Sequence, residues 1–289
     1  IKALGFVHKI LVYIITCIAV LEFIRAAVMR ALSTAATGME AQSLAVEVIS
    51  HNLANMNTIA FKRQRAEFED LLYQTVSQPG ANSSDAGTIV PTGVQVGLGV
   101  NAGSVYRIAE QGGLSETGNS YDVAISGSGY FRVQMPDGND AYTRAGNFSL
   151  SPNGEIVTAD GYSVMPGIVV PAEARQVVIN TQGQVQILLN GQPAPQVVGQ
   201  LELATFPNEA GLEQIGDNLL LESAASGAPN LGAPTDPGFG QVRQGFVEVS
   251  NVDAVTEITS LIQAQRAYEM NARVITAADE MLATSSNLR

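Results

Sequence analysis

The chain of 289 residues is poor in the residue types from which catalytic and metal sites are usually built. A single cysteine, Cys17, excludes an internal disulfide and a metal site made of thiolates. The two histidines, His8 and His51, have no candidate Ser or Cys nucleophile near them in a strand–turn–helix context. We therefore predict no catalytic residues, no metal ligands and no cofactor, and we expect that the protein is not an enzyme.

Basic residues are also scarce, with 15 Lys and Arg against 27 Asp and Glu and a formal net charge of -12. Because phosphate binding needs a basic face, nucleic acid is not an expected partner. The one basic cluster, Lys62, Arg63 and Arg65, is explained equally well by a solvated helix end. The acidic residues within 67–70 lack a histidine or further ligand, which favours a solvated face over a metal site. No small-molecule substrate is indicated.

Near the start of the chain, a twelve-residue apolar run covers Ile10–Leu21. Twelve residues are few for a membrane span and suit the core of a signal peptide, but the small-residue cleavage site at 25–28 is weak. Residues 1–28 are therefore a signal or membrane anchor, or a leader outside a functional protein that begins at Met29.

Two helices with matching heptad patterns are predicted at the two ends of the remaining chain. A 3-4 spacing over several heptads is typical of an amphipathic helix that packs against another helix. Near the C-terminus, one series with a spacing of seven is Ile258, Gln265, Ala272 and Asp279. A second series, three residues later, is Leu261, Tyr268, Ile275 and Leu282. The N-terminal series, on a helix predicted from Met29 to about Thr58, are Leu32, Met39, Val46, Leu53 and Ala35, Gln42, Ile49, Met56.

These apolar stripes, which we call seams, are explained in two ways. The two helices pack against each other within one chain, or they also pack against the helices of other copies of the same chain. The positions predicted to pack between subunits are Leu32, Met39, Val46, Ile49, Leu53, Ile258, Leu261, Tyr268, Ile275 and Leu282.

The middle of the chain has a different pattern. Phe61–Tyr73 suits a short helix or an extended arm. Gly, Pro and Ser mark Gln78–Gly99 as a linker, which is either a flexible loop or an extended segment whose β-prone pieces, Thr88–Val90 and Val94–Val96, add strands to a neighbour. From about residue 100 the apolar period becomes two, and the pairs Asn153-Gly154, Gln182-Gly183 and Asn190-Gly191 are typical of turns between strands.

The predicted fold class is therefore α+β, with a discontinuous terminal α-helical coiled-coil domain and an inserted all-β domain. The expected bounds are 1–28 for the leader, 29–70 with 245–289 for the helical domain, 71–99 for the linker and 100–244 for the β body.

Motifs at both ends and in the middle of the chain resemble the axial proteins of the bacterial flagellum, the rod and hook family. The middle motif is Asp122-Val123-Ala124-Ile125, and Ala60 stands where the family usually has glycine. The terminal motif residues are Asn52, Leu53, Ala54, Asn55, Asn57, Thr58, Phe61, Lys62, Gln265, Arg266, Ala267, Tyr268 and Glu269. Within the family the greatest similarity is to distal rod proteins, and it is carried by residues 70–74, 78–80 and 93–97.

The resemblance implies a structural subunit that starts at Met29 and polymerises into the distal rod, which transmits torque from motor to hook. The implied partners are copies of the chain in a helical tube, adjacent rod proteins, the hook protein and the ring proteins around the rod. The implied location is the basal body, from the periplasm to the outer membrane, after type III export. The alternatives are another large rod protein or the hook protein, and, in a different class, a membrane-anchored periplasmic adhesin that uses residues 10–21.

Overall fold

The computed structural model describes residues 2–78, 92–189 and 194–287. Two long helices, α1 (Lys2–Ala54) and α2 (Ala254–Asn287), bracket a region of strands. The strands are β1 Gln64–Asp70, β2 Tyr73–Ser77, β3 Val94–Gly97, β4 Val100–Arg107, β5 Leu114–Glu116, β6 Val123–Ser126, β7 Tyr130–Gln134, β8 Asp140–Thr143, β9 Ser149–Leu150, β10 Ile156–Val157, β11 Ser163–Val164, β12 Ala174–Ile179, β13 Gln184–Leu189, β14 Gln196–Gln200, β15 Leu203–Thr205, β16 Glu213–Gly216, β17 Leu219–Leu221, β18 Asn230–Gly232, β19 Gln241–Gln244 and β20 Phe246–Glu248. A single 3-10 turn, Glu209–Gly211, is described between β15 and β16.

Helix α1 starts far before the predicted position, because Met29 lies inside a helix that already runs from Lys2. No proline interrupts this stretch, so nothing in the backbone stops the helix at residue 28. The helix ends at Ala54, close to the predicted end, where the Asn55 side chain donates to the carbonyl of His51 at 2.9 Å. Within the described part of the chain, neither helix has a stretch long and apolar enough to cross a bilayer.

Of the two alternatives for Phe61–Tyr73, the short helix is wrong and the extended arm is confirmed. Residues Gln64–Asp70 form β1, which pairs with β4. Leu71 N then donates to Gly99 O at 2.9 Å, which continues the extended path. The segment is extended because it pairs with β4, and the spacing of apolar residues within the segment cannot predict that pairing.

The predicted strand-rich body is present and has a closed apolar core. Among the described strands, the largest sheet has the order β16-β17-β8-β7-β11-β10-β9, with β15 on β7 and β18 on β15. A second sheet has the order β12-β13-β14. Phe131, Ile125 and Leu203 are fully buried, and Phe131 meets Phe148 edge-on with 5.0 Å between ring centroids.

Two of the three predicted turns are confirmed. Gly154 and Gly183 have φ of 82° and 74°, which glycine adopts without strain, and they join β9 to β10 and β12 to β13. The third predicted turn, Asn190-Gly191, lies outside the described residues.

The chain divides into two compact units. Unit 1 is Ile1–Ser50, Arg65–Val105 and Ile258–Arg289, and unit 2 is His51–Gln64 and Tyr106–Glu257. In this division Arg65–Val105 groups with the helices and His51–Gln64 groups with the strands. Within unit 1 the reason is visible at Gly99, whose φ of 129° brings its backbone so close to α1 that a Cβ would lie 2.2 Å from Thr37 Oγ1.

Candidate functional site

A buried ionic junction lies in unit 2, and it consists of Glu248, Lys62 and Arg144. Strand β20 pairs with β5 and holds the Glu248 side chain fully buried. Lys62 Nζ lies 2.5 Å from Glu248 Oε1, and Arg144 Nε lies 2.6 Å from Oε2. The Gly112 N–H also donates to Oε1 at 2.9 Å. Each carboxylate oxygen therefore has its own cationic partner, and the group is fully compensated inside the protein.

The two cations of the ionic junction also bind backbone carbonyl groups. Lys62 Nζ donates to Glu110 O at 2.7 Å. Arg144 donates to Gly129 O at 2.9 Å and to Gly127 O at 2.6 Å. Burial lowers the pKa of Lys62, and the hydrogen bond that Lys62 donates to Glu248 opposes that shift. With every polar atom in use, the junction joins distant segments and offers no free acid, base or nucleophile.

The predicted solvated basic cluster is wrong for Lys62. Its side chain is 4% exposed, whereas Arg65 in β1 is exposed and Arg63 is half-buried. The cluster does not lie at a helix end either, because α1 has already ended at Ala54. Lys62 is buried because it pairs with the carboxylate of Glu248, which lies 186 residues later in the chain, and the residues around Lys62 do not predict that partner.

The turn before Lys62 is fixed to the same strand as the junction. Ala60 N donates to Glu248 O at 2.8 Å, and Ala60 has a left-handed φ of 56°. Thr58 Oγ1 donates to Asn55 Oδ1 at 3.0 Å inside this turn. The family's usual glycine would adopt this φ without strain, so alanine here raises the energy of the folded state.

A second polar group, the asparagine clamp, is formed by the buried Asn52 and the half-buried Asn251. Asn52 accepts from Gln64 N and donates to Gln64 O, both at 2.8 Å, and it donates to Glu257 Oε2 at 3.3 Å. Asn251 accepts from Arg63 N at 2.7 Å and donates to the carbonyls of Ile108 and Glu110. The two side-chain amides bind backbone N–H and C=O groups as a neighbouring strand would, and they fix the segment after α1.

A cleft of about 210 Å³ lies beside the ionic junction in unit 2. His51, Lys62 and Arg107 contribute to its wall. Arg107 donates to Glu209 O at 2.8 Å, and Glu209 accepts from the Tyr130 hydroxyl at 3.0 Å. Burial lowers the pKa of Arg107 and raises that of Tyr130. Among the described residues, no group of three or more His, Cys, Asp or Glu could hold a metal ion.

In unit 1, the most buried series on α2 is not the predicted seam. Ala264 and Ala278 are buried, and Asn271 between them is half-buried, so this series lies one residue before Gln265, Ala272 and Asp279. A Cβ at Gly38 of α1 would lie 2.8 Å from Asn271 Nδ2. Small side chains let the two helices approach closely, which leaves larger apolar side chains on other faces.

The ten predicted packing positions are mostly half-buried in the single chain. All five on α1 are half-buried, as are Leu261, Ile275 and Leu282 on α2. Ile258 and Tyr268 are 45% and 46% exposed.

An exposed apolar face is a further feature of α2. Ile262, Met270 and Met281 are 44%, 60% and 52% exposed. The motif residues Gln265, Arg266 and Glu269 are also exposed on this helix, and Ala267 is half-buried. Isolated exposed apolar residues are ordinary, but a series along one long helix is typical of a surface that binds another protein.

The paired strands β2 and β3 also leave apolar side chains in solvent. Tyr73 of β2 and Val94 of β3 are 58% and 53% exposed, and Leu72, just before β2, is 82% exposed. These strands lie in 71–99, the segment expected to be a linker or an extended segment, and residues 79–91 between them are outside the described residues.

Comparisons with known families match three parts of the chain. Residues 32–62 match the model described as flagella basal body rod protein. Residues 124–187 match the flagellar hook protein FlgE/F/G D1 domain, and residues 243–288 match the flagellar basal body rod FlgEFG protein C-terminal model.

Whole-chain comparison identifies the branch of this family. The flagellar basal-body rod protein FlgG of Caulobacter vibrioides is 62% identical over 261 residues, which cover 90% of this chain and 100% of that protein. FlgG of Agrobacterium fabrum is 51% identical over 262 residues, again 90% of this chain and 100% of the relative. The chain belongs to the FlgG family of flagellar basal-body rod proteins. The resemblance predicted from the motifs is confirmed.

The FlgG family is structural and not enzymatic.

Comparison with a second Caulobacter vibrioides protein shows that the chain is more similar to FlgG than to another rod protein of the same organism. FlgF of that organism is 32% identical over 239 residues, which cover 80% of this chain and 85% of FlgF. Because both proteins come from one organism, the difference from 62% reflects the kind of rod protein rather than the distance between species. The Lys62–Glu248 pair of the ionic junction and the Asn52–Glu257 hydrogen bond of the asparagine clamp each join a residue of the matched segment 32–62 to one of 243–288.

Proposed function

We propose that this chain polymerises with copies of itself into the distal rod of the flagellum, a helical tube that transmits torque from motor to hook. The observation that carries the proposal is the exposed apolar face of α2, which stays in solvent although the core of unit 2 is closed. Full burial of an apolar side chain contributes roughly 1.5–3 kcal/mol. Contacts between copies supply that burial, and head-to-tail contacts that do not close on themselves produce a filament.

The terminal helices are the part of the subunit that we assign to the wall of the tube, packed as coiled coils with neighbouring copies. The ten predicted packing positions lie on these helices, from Leu32 to Leu53 and from Ile258 to Leu282. Their half-buried or exposed state in one chain leaves area for a neighbour to cover. The ring proteins that surround the rod are further proposed partners of the polymer.

The distal position is supported by the 62% identity to a FlgG protein against 32% to FlgF of the same organism. The exposed side chains of Leu72, just before β2, and of Tyr73 and Val94 on β2 and β3 add a second surface for neighbouring subunits. Adjacent rod proteins and the hook protein would then contact the two ends of the polymer.

We also propose that the functional subunit begins at Met29 and leaves the cell through the flagellar type III route. The FlgG relative of Caulobacter vibrioides is matched along its whole length by 261 residues of this chain. In this proposal the helical domain comprises 29–70 and 245–289, the rod-specific segment 71–99 and the β body 100–244.

The deciding experiment is electron cryo-tomography of basal bodies in a strain that lacks this gene, with rescue by a gene that encodes Met29–Arg289. We expect a rod that stops short in the deletion strain and a complete rod after rescue. Complete rods in the deletion strain would overturn the distal rod assignment. A complete rod with the full-length gene, but not with the shortened one, would overturn the proposed start alone.

A further inference from the structure

One face of α2 in unit 1 combines positive charge with apolar area. Ile262, Arg266, Met270 and Arg273 follow one another at steps of four, four and three residues, which places them on the same side of an α-helix. All four side chains are exposed. Among the described residues, no carboxylate lies within 4.0 Å of either guanidinium group. We call this surface the arginine face.

A groove of about 280 Å³ in unit 1 has the opposite charge. Its α1 wall carries Glu40, Leu44 and Glu47, and the opposite wall is formed by residues 100–102 of β4. Both carboxylates are exposed, and no described ion pair involves them. We call this surface the acidic groove.

The arginine face and the acidic groove have the same spacing. The acidic groove has a negative side chain at position i (Glu40), an apolar one at i+4 (Leu44) and a second negative one at i+7 (Glu47). On α2, residues 266, 270 and 273 place Arg, Met and Arg at i, i+4 and i+7. Two helices with equal spacing and opposite charge can satisfy both ion pairs and bury Leu44 against Met270 in one contact.

The two surfaces do not meet within one chain. Asn271 of α2 is the residue that approaches Gly38 of α1. At 3.6 residues per turn, Arg266 and Arg273 lie about 140° and about 160° around the helix from Asn271. The arginine face therefore points away from the α1 of its own chain and toward whatever lies outside unit 1.

A second copy of this chain is the occupant that the charges favour. The formal net charge of -12 makes two copies repel each other over most of their surface. Contact between copies is therefore best supported where one copy presents paired cations and the other presents paired anions.

We propose that the arginine face of one copy docks in the acidic groove of the next copy, where Arg266 and Arg273 pair with Glu40 and Glu47 and Met270 packs on Leu44. This inference rests on the proposed polymerisation and names the residues that specify it.

Charge reversal in the full chain tests the inference in a strain that lacks the gene. The variant Glu40→Lys/Glu47→Lys and the variant Arg266→Glu/Arg273→Glu should each lose swimming and complete rods, because like charges then face each other. The variant with all four reversals should regain both. A matched control for the glutamate variant, Asp160→Lys/Glu173→Lys, makes the same change in net charge at exposed positions of unit 2 and should swim normally.

Thermal unfolding of each purified variant should match the unmodified chain, since the four side chains are exposed and have no described ion pair. Normal swimming of either two-residue variant would overturn the inference, and so would a four-residue variant that stays non-motile. Failure of the unmodified gene to restore the rod would instead overturn the proposed function.

Cross-linking between copies gives an independent readout. Chains with Leu44→Cys and differently tagged chains with Met270→Cys, both with Cys17→Ser, are expressed together and oxidised in basal bodies. A disulfide that joins the two tags is expected. Ala278→Cys in place of Met270→Cys is the control, because residue 278 is buried. Equal cross-linking by both cysteines, or none by either, would overturn the docking arrangement.

Discussion

Lys62 Nζ and Glu248 Oε1 lie 2.5 Å apart, with side chains that are 4% and 0% exposed, and they join segments 186 residues apart. This buried pair attaches the chain just after α1 to the strand just before α2.

Glu248→Gln should lower the free energy of unfolding by roughly 3–5 kcal/mol, because it leaves Lys62 and Arg144 buried without a counter-charge. Urea denaturation of the purified monomer measures the change. Glu222→Gln is the control, because it alters an exposed carboxylate and should stay within about 0.5 kcal/mol. Equal stability of Glu248→Gln and the unmodified chain would mean that the junction contributes little.

Asn52→Asp should lower the free energy of unfolding by about 2–4 kcal/mol, since aspartate cannot donate to Gln64 O and places a second negative charge beside Glu257. Adding Glu257→Gln removes that repulsion and restores a donor, so the double variant should be more stable than Asn52→Asp alone. Chemical denaturation of the four proteins gives the coupling between the two sites. Strictly additive effects would argue against a direct Asn52–Glu257 interaction.

Ala60→Gly should raise the free energy of unfolding by about 0.5–1 kcal/mol, because a φ of 56° is strained for alanine and not for glycine. Differential scanning calorimetry should show a higher melting temperature. Ala145→Gly is the matched control, because Ala145 is buried and has no positive φ, and it should lower stability instead. A lower melting temperature for Ala60→Gly would show that the lost methyl group outweighs the strain.

Helix α2 should lose stability in acid through Asp253. The Thr256 N–H donates to Asp253 Oδ1 at 2.7 Å, and this hydrogen bond lowers the pKa of the carboxyl below its ordinary value of 3.8. Since the folded-state pKa is the lower one, the stabilisation is fully present above about pH 3.8 and is lost as the pH falls through the folded-state pKa. Carboxyl-carbon NMR of Asp253 checks the pKa directly.

Asp253→Asn separates charge from hydrogen bonding at the same cap, because asparagine still accepts from Thr256 N but does not titrate. Helix content measured by circular dichroism should be retained at pH 3 in this variant to the degree seen at pH 7. An equally large acid loss in both proteins would place the effect in other carboxylates.

Local patterns predicted several features of this fold. The terminal helices follow from heptad spacing, and the turns at Gly154 and Gly183 follow from residues that adopt positive φ. The family followed from motif residues at both ends. Local spacing could not decide the conformation of Gln64–Asp70, where pairing with β4 gives a strand, nor the burial of Lys62.

The helix seam shows the same limit within a correctly predicted element. Heptad spacing identified α2 as a packing helix, but the buried residues Ala264 and Ala278 each lie one residue before the predicted Gln265 and Asp279. The close approach of Gly38 and Asn271 decides which face is covered, and that approach depends on the other helix.

The sequence by itself determined the helical ends, the strand-rich middle and the membership of the FlgG family, because each depends on the order of neighbouring residues. Only the tertiary structure decided that Glu248 binds both Lys62 and Arg144, and that Arg266 and Arg273 point away from their own chain's α1. Such relations depend on which segments meet in space, and residues far apart in sequence carry no local signal of that meeting.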